Sequence, residues 1–330
     1  MGHKAGIKRD WQDNLAGVQY KFGGMNNVLD PVNLPLDTGW FPDCSNIYVD
    51  HTQSANTRFG YISSLITTDS HSAWSDGATA YWVDSGILYS WLGSGTAKVV
   101  DAVENIPMDF CKVNNTILYS NGIDFGIIGD EGVTQRRINS KPFKTSMLSG
   151  TCIEFYNGRV YLFNTDTIYC SDTFDSANTD IRFNVVAKFR TAGTMIKRVE
   201  DGLFIGTESE VWFLRGNGPR EEEGGFTQEL LATYGVVKGT AKTIDGDKIP
   251  DAKTSGEAVL FLSKEGVCIG SKGGQFKNVS IGVFSPPEGN SGCAGIHEHD
   301  GCVQYIITYD KTSSSNRNSQ ATPTFDINIL

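Results

Sequence analysis

Few residues in this chain have types and spacings that suggest chemistry, and each sits in a context that limits it. His297-Glu298-His299 would put two imidazoles on one face of an extended strand, with Cys293 and Cys302 close in sequence. Imidazole nitrogen and thiolate sulfur suit zinc. Asp300-Gly301 follows at once, however, so the pair runs into a hairpin turn and a metal-free surface position is expected. Asp245-Gly246-Asp247 resembles half a calcium loop and lacks the closing glutamate. Gly93-Ser94-Gly95-Thr96-Ala97-Lys98 is glycine-rich without the spacing of a phosphate loop. There is no Gly-x-Ser-x-Gly elbow for a hydrolase nucleophile. The seven cysteines, at 44, 111, 152, 170, 268, 293 and 302, form no Cys-x-x-Cys pair, which argues against zinc ribbons and dithiol redox motifs. Carboxylates are plentiful, but no pair of them can be assigned as general acid and base from the sequence alone. No catalytic, cofactor or metal site is expected, and no enzyme.

Any such residue must be positioned by a β-hairpin that recurs along the chain. Strand-formers flank a tight Asn/Asp/Gly turn at Asp84-Ser85-Gly86, Asn114-Asn115-Thr116, Asn157-Gly158, Asp201-Gly202, Glu265-Gly266 and Asp300-Gly301. Such turns need positive φ, which Asn and Gly supply cheaply. Anchored at Gly86, Thr116, Gly158, Gly202, Gly266 and Gly301, the hairpins are separated by 30, 42, 44, 64 and 35 residues. Some of these match the 40–50 residues of a four-stranded propeller blade. A second hairpin follows each anchor, and no long amphipathic helix is visible. The expected fold is therefore an all-β propeller of about six blades, with five or seven as alternatives.

The 64-residue gap contains Gly216-Asn217-Gly218-Pro219-Arg220-Glu221-Glu222-Glu223-Gly224-Gly225, expected to be a long, flexible surface loop. Residues 1–45, with Gly23-Gly24 and three prolines, are expected to form an extended arm, and residues 46–330 the propeller. The alternation at Phe325-Asp326-Ile327-Asn328-Ile329-Leu330 suits a last strand completing a blade that the N-terminal part begins.

Composition narrows the function. Lys and Arg number 28 against 38 Asp and Glu, a formal charge of −10 over 330 residues. An acidic balance disfavours sequence-independent nucleic-acid binding, which needs a basic surface. The charge is uneven, because Lys4, Lys8, Arg9 and Lys21 outweigh Asp10 and Asp13 in the first 24 residues. No apolar leader and no run of about 18 apolar residues is present, so neither a signal peptide nor a membrane segment is expected. The thiols are expected to be free and buried, in a reducing compartment. A sialidase-type propeller would repeat a Ser-x-Asp-x-Gly-x-x-Trp box. Trp82-Val83-Asp84-Ser85-Gly86 has only its Asp and Gly.

The N-terminal stretch carries a family resemblance. Phe22-Gly23-Gly24-Met25-Asn26-Asn27, Leu34-Pro35, Asp43-Cys44-Ser45-Asn46-Ile47-Tyr48-Val49-Asp50 and Thr57-Arg58-Phe59-Gly60-Tyr61 follow in close order. Together they resemble the opening of tail nozzle, or tail hub and tail tubular, proteins of short-tailed bacteriophages. The positions carrying the resemblance are Gly23, Gly24, Asn26, Asn27, Pro35, Asp43, Asn46, Arg58 and Gly60. Further matches are Arg159-Val160-Tyr161-Leu162, Ile205-Gly206-Thr207-Glu208 and Tyr234-Gly235-Val236-Val237.

The resemblance implies a virion structural protein, assembled in the host bacterial cytoplasm, without enzyme activity or cofactor. It implies a homo-oligomeric ring, a hexamer foremost, that meets an adaptor or portal and tail fibre or spike proteins. Double-stranded DNA would pass through without specific binding. The chain lacks an obvious large insertion for fibre attachment. Glu221, Glu222 and Glu223 are then expected to form a negative collar if their loop faces the lumen. The alternative is a glycan-binding or glycan-cleaving propeller, which would need exposed aromatics beside carboxylates or arginines.

Overall fold

Asn157-Gly158, with φ of 47° and 78°, joins strand Cys152–Tyr156 to Arg159–Asn164, and Tyr156 pairs with Arg159 across the turn. Ser85-Gly86, with φ of 52° and 79°, does the same between Ala80–Asp84 and Ile87–Trp91. Both positions of such turns lie in the left-handed region, and their twist matches that of the strands they join. The computed structural model describes residues 69–129, 142–249, 256–286, 289–299 and 302–311, with the short segments 24–25, 28, 40–41, 47–49, 55–57, 132–134 and 324–328.

The hairpins chain into antiparallel sheets whose strands follow in sequence order, and the fold is an all-β propeller. Five four-stranded sheets and one three-stranded sheet are found among the described residues. Their first strands are Ser70–Ser75, Asp109–Val113, Cys152–Tyr156, Gly193–Val199, Lys242–Asp245 and Gly289–His299. The starts lie 39, 43, 41, 49 and 47 residues apart, a far more even repeat than the hairpin anchors gave.

The anchors misled because they fall in different hairpins. Thr116, Gly158 and Gly202 follow the first hairpin of their sheets, whereas Gly86 and Gly266 follow the second. The 64-residue gap is thus mainly a change of hairpin. The loop within it links Val211–Arg215 to Thr227–Ala232, the third and fourth strands of the fourth sheet.

Successive sheets pack face to face, and a separate apolar core fills each of five gaps. Leu88, Ile117 and Tyr119 lie between the first and second sheets, and Leu118, Ile153 and Leu162 between the second and third. Phe163, Ile168 and Leu203 follow, then Phe204, Phe213 and Phe261, then Leu260, Leu262 and Tyr305. Consecutive residues of one strand therefore serve opposite faces, as in Leu203-Phe204 and Leu260-Phe261, which explains the nearly continuous apolar runs.

Hydroxyls bind the strands to their connections. Ser120 Oγ accepts from Gly150 N, Ser171 Oγ from Val160 N, Ser280 Oγ from Val267 N and Thr240 Oγ1 from Leu262 N. Thr324–Asn328 forms the outer strand of the sixth sheet, and Ile47–Val49 lies against it.

Of the nine positions that carry the family resemblance, only Gly24 lies in a described segment. It pairs in parallel with Trp40. Gly23, Asn26, Asn27, Pro35, Asp43, Asn46, Arg58 and Gly60 lie outside the described residues. Among the described residues, no helix is long and apolar enough to cross a membrane.

Candidate functional site

All six first strands converge on one central cavity of about 830 Å³. Its charged lining comes from these strands and the turns leading into them: Asp69, Asp109, Lys112, Glu154, Lys197, Arg198, Lys238 and Lys242. Five cations thus face three carboxylates at the centre of a chain whose formal charge is −10. The sequence-level expectation of an acidic lumen concerned a ring of subunits, and the centre of this subunit has a different character.

Asp109, Glu154 and Lys197 come from three successive sheets. Lys197 Nζ lies 3.7 Å from Asp109 Oδ2 and 3.5 Å from Glu154 Oε2, with the lysine side chain only 13% exposed. Backbone amides fix both acids: Ile153 N donates to Asp109 Oδ2 at 3.0 Å and Phe155 N to Glu154 Oε1 at 3.0 Å. Burial pushes the Glu154 carboxyl above its ordinary range, against the pull of Lys197. Burial alone would lower the Lys197 ammonium, but Asp109 and Glu154 outweigh it and hold Lys197 above its ordinary value. Lys197 is therefore firmly charged, and it holds the second, third and fourth sheets together at their inner edges.

The adjoining part of the wall, from the fifth sheet, differs. Lys238 and Lys242 make no ion pair or side-chain hydrogen bond among the described residues. Desolvation lowers the Lys242 ammonium below its ordinary value. The Lys238 segment runs parallel to the start of the sixth sheet, where Gly292 N donates to Lys238 O at 2.8 Å. Gly239, at φ 85°, allows this approach, because a Cβ there would meet Gly292 O at 2.1 Å. Trp74, stacked on Phe110 at 5.8 Å, also lines the cavity.

The residues singled out from sequence are placed as follows. His297 and Glu298 are exposed near the end of the sixth sheet's first strand, and Glu298 pairs with Lys248 at 2.5 Å. Among the described residues, no group of three or more His, Cys, Asp or Glu is arranged to hold a metal. Asp245-Gly246-Asp247 opens a single 3-10 turn, with Asp245 Oδ1 accepting from Asp247 N.

The 216–225 loop is pinned, contrary to the flexibility its glycines suggested. Tyr156 Oη donates to Gly216 O at 2.7 Å and Asn157 Nδ2 to Asn217 O at 2.9 Å. Glu221–Glu223 forms a 3-10 turn, and Glu223 turns inward to meet the buried Arg159 guanidinium at 2.5 Å. The three glutamates are therefore not equivalent: Glu222 is exposed, whereas Glu223 is committed to a neighbouring sheet. Replacing Arg159 by Met should cost about 1–3 kcal/mol by leaving Glu223 partly buried without its partner. It should also open the loop to trypsin at Arg220, and limited proteolysis reads this directly.

Cys111, Cys152, Cys170 and Cys268 are free and buried, and Cys293 is half-buried at the cavity wall. Burial pushes Cys152 up to about 12 and Cys170 and Cys268 up to about 11. Alkylation of the native chain, mapped by mass spectrometry, should label Cys293 while sparing those four until unfolding.

Sequence inspection missed the cavity residues. Asp109, Glu154, Lys197 and Lys242 recur 45, 43 and 45 residues apart, each in the first strand of a sheet. A charge returning at blade spacing within apolar strands was the available signal.

No protein-family model matches the chain, and no curated protein matches it. Among solved structures, regucalcin from Agrobacterium tumefaciens str. C58, described as a calcium-binding protein, is 14% identical, with a TM-score of 0.47 over 79% of this chain and 90% of that one. Hsv2 of Kluyveromyces lactis is 10% identical, with a TM-score of 0.43 over 78% of this chain and 79% of that one. PorZ of Porphyromonas gingivalis, a surface component of its type-IX secretion system, is 13% identical, with a TM-score of 0.41 over 80% of this chain and 33% of its own. At such values nothing of these proteins' activities carries over.

Proposed function

We propose that the chain is a non-enzymatic structural subunit of a bacteriophage tail ring, packed side by side with copies of itself around a passage for DNA. Besides the N-terminal resemblance, one observation carries this reading: an apolar annex on the outside of the third sheet. Strand Lys144–Ser146 pairs with Asn178–Asp180 to form a small separate sheet. Its first strand precedes the third sheet in the chain, and its second lies on the excursion between Thr167–Cys170 and the outer strand Val185–Lys188. It exposes Phe143, Ile181, Phe183 and Val185, and Phe174 is 88% exposed.

The annex is held firmly. Lys144 pairs with Asp172 and Asp180, Thr179 Oγ1 donates to Cys170 O, and Met147 N donates to Ala177 O at 2.8 Å. Arg182 lies over Phe143 and Phe183, 4.5 and 5.2 Å from the ring centroids. Aromatics and arginines fixed on an exposed element are the composition of an association surface.

Mass photometry of the purified chain tests this reading, with a closed oligomer of six copies expected. Phe174→Ser together with Phe183→Ser should leave the fold intact and weaken association by about tenfold or more, since each buried Phe contributes about 1.5–3 kcal/mol. A chain that stays monomeric at high concentration, or an oligomer indifferent to both substitutions, would refute this assignment. Deleting residues 1–20 should likewise leave a folded monomer that assembles poorly. For the collar, only Glu221 and Glu222 are informative, because Glu223→Lys would also break the Arg159 pair. Glu221→Lys with Glu222→Lys should slow genome ejection if these groups line the passage.

A further inference from the structure

We propose that the central cavity of the propeller is a binding site for a small phosphate-bearing molecule, held on the wall that carries Lys238 and Lys242. Neither the tail-ring reading nor its failure bears on this, because the cavity belongs to the single subunit.

Three of the five cations that line the cavity are already engaged. Lys197 is taken by Asp109 and Glu154, Arg198 pairs with Glu257 at 3.0 Å, and Lys112 pairs with Asp76 at 2.9 Å. Lys238 and Lys242 remain, two ammonium groups with no ion-pair partner among the described residues, Asp109 acting on Lys242 only from a distance. Both side chains are half-buried, and charges partly withdrawn from water are normally paired. Desolvation already disfavours the charged form of Lys242, so an arriving anion would recover what burial removes.

The surroundings define the rest of the ligand. A volume of about 830 Å³ lies within the range of small-molecule sites. The lining also includes Trp74, backed by the buried Phe110, an apolar surface suited to a ring or a carbon skeleton. Two lysines match a phosphate dianion in charge, and lysine binds phosphate as a point charge without needing a planar partner. The close Gly239–Gly292 contact holds the Lys238 segment beside Cys293, so a bound anion would cover that thiol.

Pyrophosphate, inorganic phosphate and citrate are the probes, titrated calorimetrically into the full chain, with Cys293 alkylation by neutral iodoacetamide as an independent readout. Pyrophosphate should bind and should slow labelling of Cys293. Lys238→Gln and Lys242→Gln should each weaken it by about tenfold or more, while Lys242→Arg, which keeps the charge, should retain it. Thermal melting of each variant separates lost binding from lost fold. Citrate binding as tightly as pyrophosphate would overturn the phosphate assignment. Absence of binding at millimolar pyrophosphate, unchanged Cys293 labelling, or binding that survives both glutamine substitutions would overturn the site.

Discussion

Replacing Lys197 by Met is expected to destabilise the propeller by about 3–5 kcal/mol at neutral pH, the cost of breaking a buried ion pair from one side. The ammonium sits within 4 Å of carboxylates from two other sheets, and removing it takes away the one cation that Asp109 and Glu154 share as an ion-pair partner among the described residues. The deficit should shrink on acidification. Burial already raises the Glu154 carboxyl above its ordinary value of 4.5. A carboxyl raised in the folded state binds its proton there more readily than in the unfolded chain. Its contribution is fully favourable below the ordinary value and is lost as pH rises through the raised one. Without Lys197 the rise is larger, so the variant suffers most above that window and recovers within it. Urea unfolding of Lys197→Met from acid to neutral pH checks this, and Lys197→Met combined with Glu154→Gln should regain part of the loss. A deficit under about 1 kcal/mol, the level of a surface pair, would show that the three sheets are not joined in this way.

Phe204→Ala should cost a comparable amount, about 3–5 kcal/mol, through the cavity it leaves between the fourth and fifth sheets. Phe204 is fully buried, tilted against Phe213 with centroids 5.0 Å apart. Its ring lies over Gly270, where a Cβ would come within 2.6 Å of it. The contact is therefore a ring seated on a glycine, and it can fail from either side. Gly270→Val should destabilise by overpacking as Phe204→Ala does by underpacking. The two defects share one site, so the double variant should be less destabilised than the sum of the single effects. Strict additivity in equilibrium unfolding would contradict the packing described for this gap.

The strands and their local pairing were legible in the sequence because turn chemistry is local. Asn157-Gly158 and Ser85-Gly86 announce positive φ whatever surrounds them. The phase of the repeat was not legible in the same way. A hairpin between first and second strands looks the same as one between second and third, and Gly202 and Gly266 were aligned across that difference. The central site was hidden by the same error. Asp109, Glu154 and Lys197 come together only when each first strand is brought to the axis, and in sequence they lie more than forty residues apart. The pinned glutamate loop was missed for another reason. Its glycines signal freedom, and only the contact with Tyr156, Asn157 and Arg159 of the neighbouring sheet removes it.

The measurement that bears most directly on the tail-ring reading is cryo-electron microscopy of the purified chain. A closed ring is predicted, with the excursion carrying Phe174 and Phe183 covered by the adjacent copy and the Glu221–Glu222 turn at or near the inner circumference. Single propellers with that excursion facing solvent, or an oligomer built on another face, would contradict the account.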